Sequence, residues 1–133
     1  MGKDRQTIDA PGAPGAIGPY SHAVRAGSLL FCSGQIPLDP ESGELVGETA
    51  AEQARQCLKN LSAVCGAADA SLADAVRLTV YMTDLSAFAE VGEVYATFFP
   101  DAPPARVAVG VAALPRGAQV EIDAIVSLAA PRA

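Results

Sequence analysis

The sequence is short of the residue types that metal sites and nucleic-acid surfaces require. Its 133 residues include no tryptophan and a single histidine, His22, and nine Lys and Arg are set against fifteen Asp and Glu, for a net charge of −6. A lone histidine with no cluster around it disfavours a metal centre, so we expect neither a metal nor another cofactor. The acidic balance disfavours a nucleic-acid partner, which needs a basic stripe.

Long apolar runs and paired cysteines are also missing. No run is long enough to span a membrane, and the first six residues lack the apolar core of a signal peptide. Two of the three cysteines, Cys57 and Cys65, lie eight apart on one predicted helix, about 12 Å along its axis and beyond disulfide reach. We therefore expect reduced, buried thiols in a cytoplasmic protein with no membrane partner.

Half of the residues are hydrophobic, which is enough to build the core of one domain covering residues 1–133. Residues 1–15 are expected to be a flexible or edge segment, with Gln6–Asp9 as a candidate edge strand. Period-two alternation and turn residues predict the remaining strands. These strands lie near residues 20–26, 29–36, 76–82, 105–112 and 119–128.

Two helices are predicted from capping signals and apolar spacing. Thr49 and Glu52 match a capping box, and apolar residues recur at helical spacing up to Gly66, which we expect to close the helix. The second helix begins near Asp84 or Ser86. Together the elements predict an α+β fold, a single mixed sheet with both helices on one face.

Two helices can cover only one face of that sheet. The strands around Leu29–Cys32 and Ile125–Val126 nevertheless carry apolar side chains on both faces. Another copy of the same chain is the simplest cover for the second face, so we predict an obligate oligomer.

The strand near 105–112 carries the most informative pattern. Val107 and Val109 alternate with Arg106, Ala108 and Gly110, so one face has a guanidinium followed by two very small side chains. Such a face has room for a small ligand, and the arginine fork can bind a carboxylate through two hydrogen bonds. The alternative is an ordinary exposed arginine on a lightly covered strand.

Four other residues are candidates for a ligand site, and three of them have a structural alternative. Gly34 ends an apolar strand and lets a ligand approach the backbone. Tyr20 follows a rigid Gly-Pro and could equally be a core tyrosine, and Ser33 could be a satisfied structural hydroxyl. Glu121 shares the polar face of its strand with Asp123, and the alternative is a solvated carboxylate pair.

These segments, taken together, closely resemble the Rid (reactive intermediate deaminase) family, also called YjgF and once labelled L-PSP endoribonuclease. The resemblance implies a chorismate-mutase-like subunit that forms a homotrimer around a central barrel, with ligand clefts between subunits. The matching segments run in the family's order over nearly the whole chain: Ala16–Ser21, Ser33–Pro40, Glu93–Tyr95, Pro104–Arg106, and Leu114–Gly117 with Val120–Ile122.

The resemblance also implies an activity, the hydrolysis of 2-imino and enamine acids such as 2-aminoacrylate to 2-keto acids and ammonia. It implies a functional link to pyridoxal-phosphate enzymes, which release such imines. The arginine matching Arg106 holds the substrate carboxylate in the family, and the glutamate matching Glu121 is associated with the attacking water. The implied catalytic residues are Tyr20, Arg106 and Glu121, and the implied substrate-binding residues are Ser33, Gly34, Gly92, Ala108 and Arg106.

The sequence departs from the family pattern at His22, Gly92, Ala108 and Gly110, where Gln, Asn, Cys and Glu or Gln are usual. Three of these replacements put a smaller side chain in place of the usual one, so we expect a roomier pocket or a different substrate. Gly92 costs about 1 kcal/mol relative to Ala within a helix, and close helix–sheet packing is the alternative reason for it.

Two other functions stay open from the sequence. One is a non-catalytic module that binds keto acids or regulates a partner enzyme, and the other is a specialised biosynthetic member of the same family. Ribonuclease activity is disfavoured because the chain is acidic and has no paired histidines.

The position of the cleft follows from strand register. If Leu114–Gly117 is the turn of a simple hairpin, Arg106 pairs near Ile125, four residues beyond Glu121 and about 13 Å away along the strands. A substrate of six heavy atoms spans much less. We therefore predict a cleft between subunits, with Arg106 and Glu121 supplied by different chains or bridged by water.

Overall fold

A computed structural model describes residues 4–128, which form one six-stranded mixed sheet with two α-helices on one face. This confirms the predicted α+β class. The strand order is β1-β2-β3-β6-β4-β5, and every neighbouring pair is antiparallel except β4 and β5. The elements are β1 (Arg5–Ile8), β2 (Ala23–Ala26), β3 (Leu29–Gln35), α1 (Ala50–Ala67), β4 (Ala75–Met82), α2 (Phe88–Phe98), β5 (Ala105–Gly110) and β6 (Val120–Ser127).

The N-terminal segment supplies the sheet edge that the sequence indicated. β1 pairs with β2, which continues into β3 through a two-residue turn at Gly27 and Ser28. Gly27 has a φ of 61°, in the left-handed region that glycine occupies without the steric cost of a Cβ. The turn thereby fixes the register of the hairpin and the point at which β3 begins.

Side-chain caps begin α1 and the 3₁₀ turn that precedes α2. Thr49 accepts a hydrogen bond from the Glu52 N–H, and the Glu52 carboxylate accepts one from the Thr49 N–H, each at 3.1 Å, which confirms the capping box. Asp84 accepts from the Ser86 N–H at 2.9 Å, but it caps a 3₁₀ turn, Leu85–Ala87, that leads into α2. The second helix therefore starts later than its capping signal indicated.

The predicted end of α1 at Gly66 is wrong. The helix continues through Ala67, and Asp69 adopts the left-handed conformation with a φ of 56°. The Ala70 N–H then donates to the Cys65 carbonyl at 2.9 Å, which satisfies a carbonyl at the helix end. An aspartate tolerates this conformation, so the glycine was not needed to end the helix.

The predicted hairpin of the last two strands is also wrong. β4, α2 and β5 form a parallel crossover, and β6 returns to the opposite side of β4. Arg106 therefore pairs with Leu78 instead of lying near Ile125. The 3₁₀ turn Pro115–Gly117 belongs to a connection that crosses β4.

The core lies between the helices and the sheet, and all three cysteines are free and buried in or beside it. Burial raises the pKa of the Cys57 thiol well above its ordinary value.

Val76 departs from the predicted alternation because a bulge between Ala75 and Arg77 leaves it 44% exposed. No helix within residues 4–128 is both long and apolar enough to cross a bilayer.

The face of the sheet without helices carries a row of apolar side chains. Val24, Phe31 and Ile125 are direct cross-strand neighbours on β2, β3 and β6. Phe31 is 43% exposed, and Val107 on β5 is 41% exposed. The predicted two-sided apolar character of the central strands is therefore confirmed, and the oligomer that would cover this face stays a prediction.

Candidate functional site

A cavity of about 500 Å³ opens beside the end of β3, and we call it the Glu121 cavity. It brings together segments that are far apart in the sequence, namely the loop before β2, the end of β3 and the turn before β6. Tyr20, Ser33, Gly34 and Glu121, four of the predicted site residues, lie in it. The full lining is Pro14, Gly15, Ile17, Tyr20, Ser33, Gly34, Gln35, Ile36, Leu38, Pro115, Arg116 and Glu121.

The carboxylate of Glu121 lies directly against the backbone of Gly34. Pairing between β3 and β6 skips from Cys32 to Gln35, a bulge that leaves the strand irregular at this point. A Cβ added to Gly34 would overlap Oε2 of Glu121. Gly34 is therefore a glycine because the carboxylate occupies the space that a side chain would need.

Two hydroxyl groups belong to residues that line the same cavity as this carboxylate. The Tyr20 oxygen accepts a long hydrogen bond, 3.4 Å, from the Ile17 N–H, so its own proton is free to be donated. The Ser33 hydroxyl donates to the Ser21 carbonyl at 2.6 Å. Ser33 thus holds the Tyr20 loop against β3, and its proton is already used.

His22 fixes the N-terminal wall of the cavity. Its ring is 95% buried, its Nδ1 accepts from the Ala10 N–H at 3.0 Å, and its Nε2 donates to the Pro14 carbonyl at 2.8 Å. A neutral ring with one donor and one acceptor satisfies both bonds. Glutamine, the usual residue here in the resembled family, also carries a donor group and an acceptor group.

Two buried amides on α1 hold the remaining walls, and the sequence reasoning missed both. Asn60 donates to the carbonyls of Ile36 and Leu38, at 3.3 and 3.0 Å. The Gln53 side-chain oxygen accepts from the Gln119 N–H at 2.7 Å, two residues before Glu121. Two amides seven residues apart on the apolar stripe of a helix were the available signal, since buried amides need partners.

Burial raises the pKa of Glu121 above its usual 4.5, and the neighbouring negative charge of Asp123 raises it further. Asp123 in turn accepts a hydrogen bond from the Tyr81 hydroxyl at 2.8 Å. Glu121 thus combines a half-buried position with a raised proton affinity. A carboxylate of this kind can both accept a proton from water and return it.

Arg106 lies in a different place, on the side of the sheet that carries the helices. Its guanidinium carbon is 4.8 Å from the centre of the Phe88 ring and 5.2 Å from that of Tyr95. A second cavity of about 410 Å³, the Arg106 cavity, opens there. Its lining is Gly92, Tyr95, Ala96, Phe99, Pro103, Pro104 and Arg106.

The small residues Ala108 and Gly110 do not leave room for a ligand beside Arg106, contrary to the prediction from the sequence. A Cβ added to Gly110 would come within 3.1 Å of Leu85, and Ala108 packs against the core, so neither one opens space beside the arginine. Gly92 does line the Arg106 cavity, and a Cβ there would meet nothing within 4 Å. Close packing is therefore not the reason for Gly92, and Ala108 lines neither cavity.

Arg106 and Glu121 do not meet within one chain. Arg106 pairs with Leu78 and Glu121 with Tyr81, on opposite edges of β4. This places their Cα atoms about 10 Å apart along the strands and about 10 Å apart across them. Within residues 4–128, no group of three or more His, Cys, Asp or Glu side chains is placed to hold a metal ion.

Comparison with known proteins shows extensive similarity. Residues 10–128 match the family described as Endoribonuclease L-PSP. A Mus musculus 2-iminobutanoate/2-iminopropanoate deaminase is 47% identical over 91% of this chain and 90% of its own length.

Solved structures agree with this similarity. RidA from the Antarctic bacterium Psychrobacter sp. PAMC 21119 is 46% identical, with a TM-score of 0.89 over 92% of this chain and 99% of its own. E. coli TdcF, solved with bound serine, is 42% identical, with a TM-score of 0.88 over 93% of this chain and 99% of its own.

The electrostatics of the Glu121 cavity predict a titration that can be measured directly. The carboxyl carbon of Glu121, assigned in NMR spectra by comparison with Glu121→Gln, is expected to titrate above pH 4.5. Asp123→Asn removes a negative charge and should lower the pKa of Glu121, while Asp101→Asn, in the exposed α2–β5 loop, should leave it unchanged. A Glu121 pKa at or below 4.5, or no response to Asp123→Asn, would contradict this electrostatic account.

Proposed function

This chain belongs to the Endoribonuclease L-PSP family, the Rid family, and from that premise we propose that it hydrolyses 2-imino acids and their enamine tautomers to 2-keto acids and ammonia. The observation that carries the proposal is the Glu121 carboxylate, which lies against Gly34 in a half-open cavity. The named activity of the mouse relative supports the same reaction class.

The reaction needs a positioned base more than a strong nucleophile. Glu121 takes a proton from water as the water oxygen attacks C2 of the imine, and it passes that proton to the imine nitrogen. The resulting carbinolamine then loses its hydroxyl proton through Glu121 to the same nitrogen. The C–N bond breaks, and ammonia and the 2-keto acid leave.

The other groups of the Glu121 cavity orient the substrate. The free hydroxyl proton of Tyr20 and the backbone of Gly34 lie where they can contact the nitrogen end. Imines already hydrolyse unaided in water, so alignment of water and substrate supplies a useful share of the rate increase. The raised pKa of Glu121 suits a group that accepts and returns one proton in each cycle.

Arg106 from a second copy of the chain is the carboxylate-binding group in this proposal. Stacking on Phe88 and Tyr95 holds the flat guanidinium in place and leaves its N–H edges for a carboxylate. Because Arg106 lies so far from Glu121 in its own chain, a complete site needs two copies. The exposed apolar residues Phe31 and Val107 give those copies a surface to bury, and the family resemblance implies three copies.

A second candidate function is a binding module that holds small amino or keto acids without converting them. The bound serine in E. coli TdcF favours it, since serine is a small carboxylate-bearing molecule. Turnover separates the two functions, because a binding module leaves the rate of imine hydrolysis unchanged.

The reaction is tested with 2-iminopropanoate made in situ by an amino-acid oxidase, with keto-acid and ammonia release followed over time. Arg106→Lys keeps the charge and loses the two-pronged contact, so kcat/KM should fall about tenfold or more. Glu121→Gln removes the base, and kcat should fall about 100-fold. Arg55→Lys, on the exposed side of α1, is the matched control and should behave as wild type.

Three results would reject these assignments. Wild type that does not accelerate hydrolysis of this substrate rejects the reaction. An unchanged rate in Arg106→Lys rejects the carboxylate role of Arg106, and an unchanged kcat in Glu121→Gln rejects Glu121 as the base.

The oligomer is tested separately by sedimentation velocity at micromolar concentration. We expect a particle of three 13.5 kDa chains. Phe31→Glu places a charge on the apolar face and should shift the distribution to smaller species, whereas Lys59→Glu on the outer side of α1 should not. A stable wild-type monomer at this concentration would rule out the shared site.

A further inference from the structure

Arg116 lines the Glu121 cavity, and the proposed reaction gives it no task. Among the described residues that line the Glu121 cavity, it is the only lysine or arginine. Its side chain is exposed, and Nη2 donates to the Gly43 carbonyl at 3.3 Å. One N–H of the five on the guanidinium is thereby used, which leaves donors for a ligand.

The backbone at Arg116 is in an unfavourable conformation for an arginine. Its φ of 63° and ψ of 16° lie in the left-handed region, and the following Gly117 also has a positive φ, 74°. A side chain with a Cβ costs about 1 kcal/mol or more in this region, where glycine or asparagine is better accommodated. The turn alone therefore does not favour arginine here.

The cavity is larger than the smallest proposed substrates require. Its volume of about 500 Å³ lies in the range of pockets that bind ligands much larger than the six heavy atoms of 2-iminopropanoate. Ile36, Leu38 and Pro115 give it apolar walls suited to methylene groups. A longer substrate side chain would contact these walls and could end beside the Arg116 guanidinium.

The charge of the chain makes a local cation useful for an anionic ligand. The net charge of −6 repels anions, and Glu121 adds a negative charge inside the cavity when it is ionised. A positive group at the opening offsets this repulsion for a substrate with a second carboxylate. The same group repels a substrate with a cationic side chain.

We propose that Arg116 binds the distal carboxylate of dicarboxylic 2-imino acids, which makes the imines of acidic amino acids the preferred substrate class. The proposal rests on the proposed function, in which Glu121 acts at C2 and Arg106 of another copy holds the first carboxylate. Arg116 is then the residue that determines specificity, at the far end of the substrate from Arg106.

The test compares two imino acids of similar size, 2-iminopentanedioate and 2-imino-4-methylpentanoate. Wild type should show the higher kcat/KM for the dicarboxylate. Arg116→Asn suits the left-handed backbone and removes the charge, so it should lower kcat/KM for the dicarboxylate about tenfold and leave that for the apolar substrate unchanged. Arg116→Lys keeps the charge and should retain most of the preference.

Other outcomes overturn the proposal. If Arg116→Asn lowers kcat/KM equally for both substrates, Arg116 serves the end that the substrates share, or the fold. If the substitution lowers kcat/KM for neither substrate, Arg116 binds neither. If wild type hydrolyses no imino acid, the proposed function fails, and calorimetry with the keto acid 2-oxopentanedioate still tests Arg116. Tighter binding to wild type than to Arg116→Asn would support the carboxylate subsite, and equal binding would reject it.

Discussion

The contact between the Glu121 carboxylate and the Gly34 backbone is the constraint on which the site depends. It requires a glycine at position 34, and β6 must lie next to β3 in the sheet. The bulge in β3 lies at the same point and changes the direction of the strand end. Asn60 and Gln53 then hold the adjoining segments through buried hydrogen bonds, so the cavity walls are tied to the core.

Strand topology explains why Arg106 and Glu121 lie in different cavities of one chain. The parallel crossover from β4 to β5 places Arg106 against α2, while Glu121 lies on β6, on the other side of β4. A single chain therefore presents the Glu121 carboxylate in one cavity and the Arg106 guanidinium in another. Association of copies is, in this account, a requirement of the chemistry as well as a way to bury the apolar face.

Local signals in the sequence predicted the local structure well. The Thr49 capping box, the turn at Gly27 and the alternation in β6 were readable because each depends on neighbours within a few residues. The candidate site was predicted through the family resemblance, since its members Tyr20, Gly34 and Glu121 are far apart in the chain. Their grouping depends on tertiary contacts that no local pattern encodes.

The failures have a common physical cause, which is non-local packing. The hairpin expectation for the last two strands failed because β4 inserts between them. Gly110 looked like open space, but Leu85 from a distant turn covers it. His22 and Asn60 are buried polar side chains, and only the three-dimensional structure shows which backbone groups they hydrogen-bond.

The most direct test of a site shared between copies is activity in oligomers mixed from two inactive chains. Arg106→Ala and Glu121→Ala subunits are co-expressed with different tags, and mixed oligomers are isolated and assayed for imine hydrolysis. If each site takes one residue from each of two adjacent chains, one of the three sites in every mixed trimer is intact, and about a third of the wild-type activity returns. No activity in verified mixed oligomers would show that both residues act from the same chain and would contradict the account.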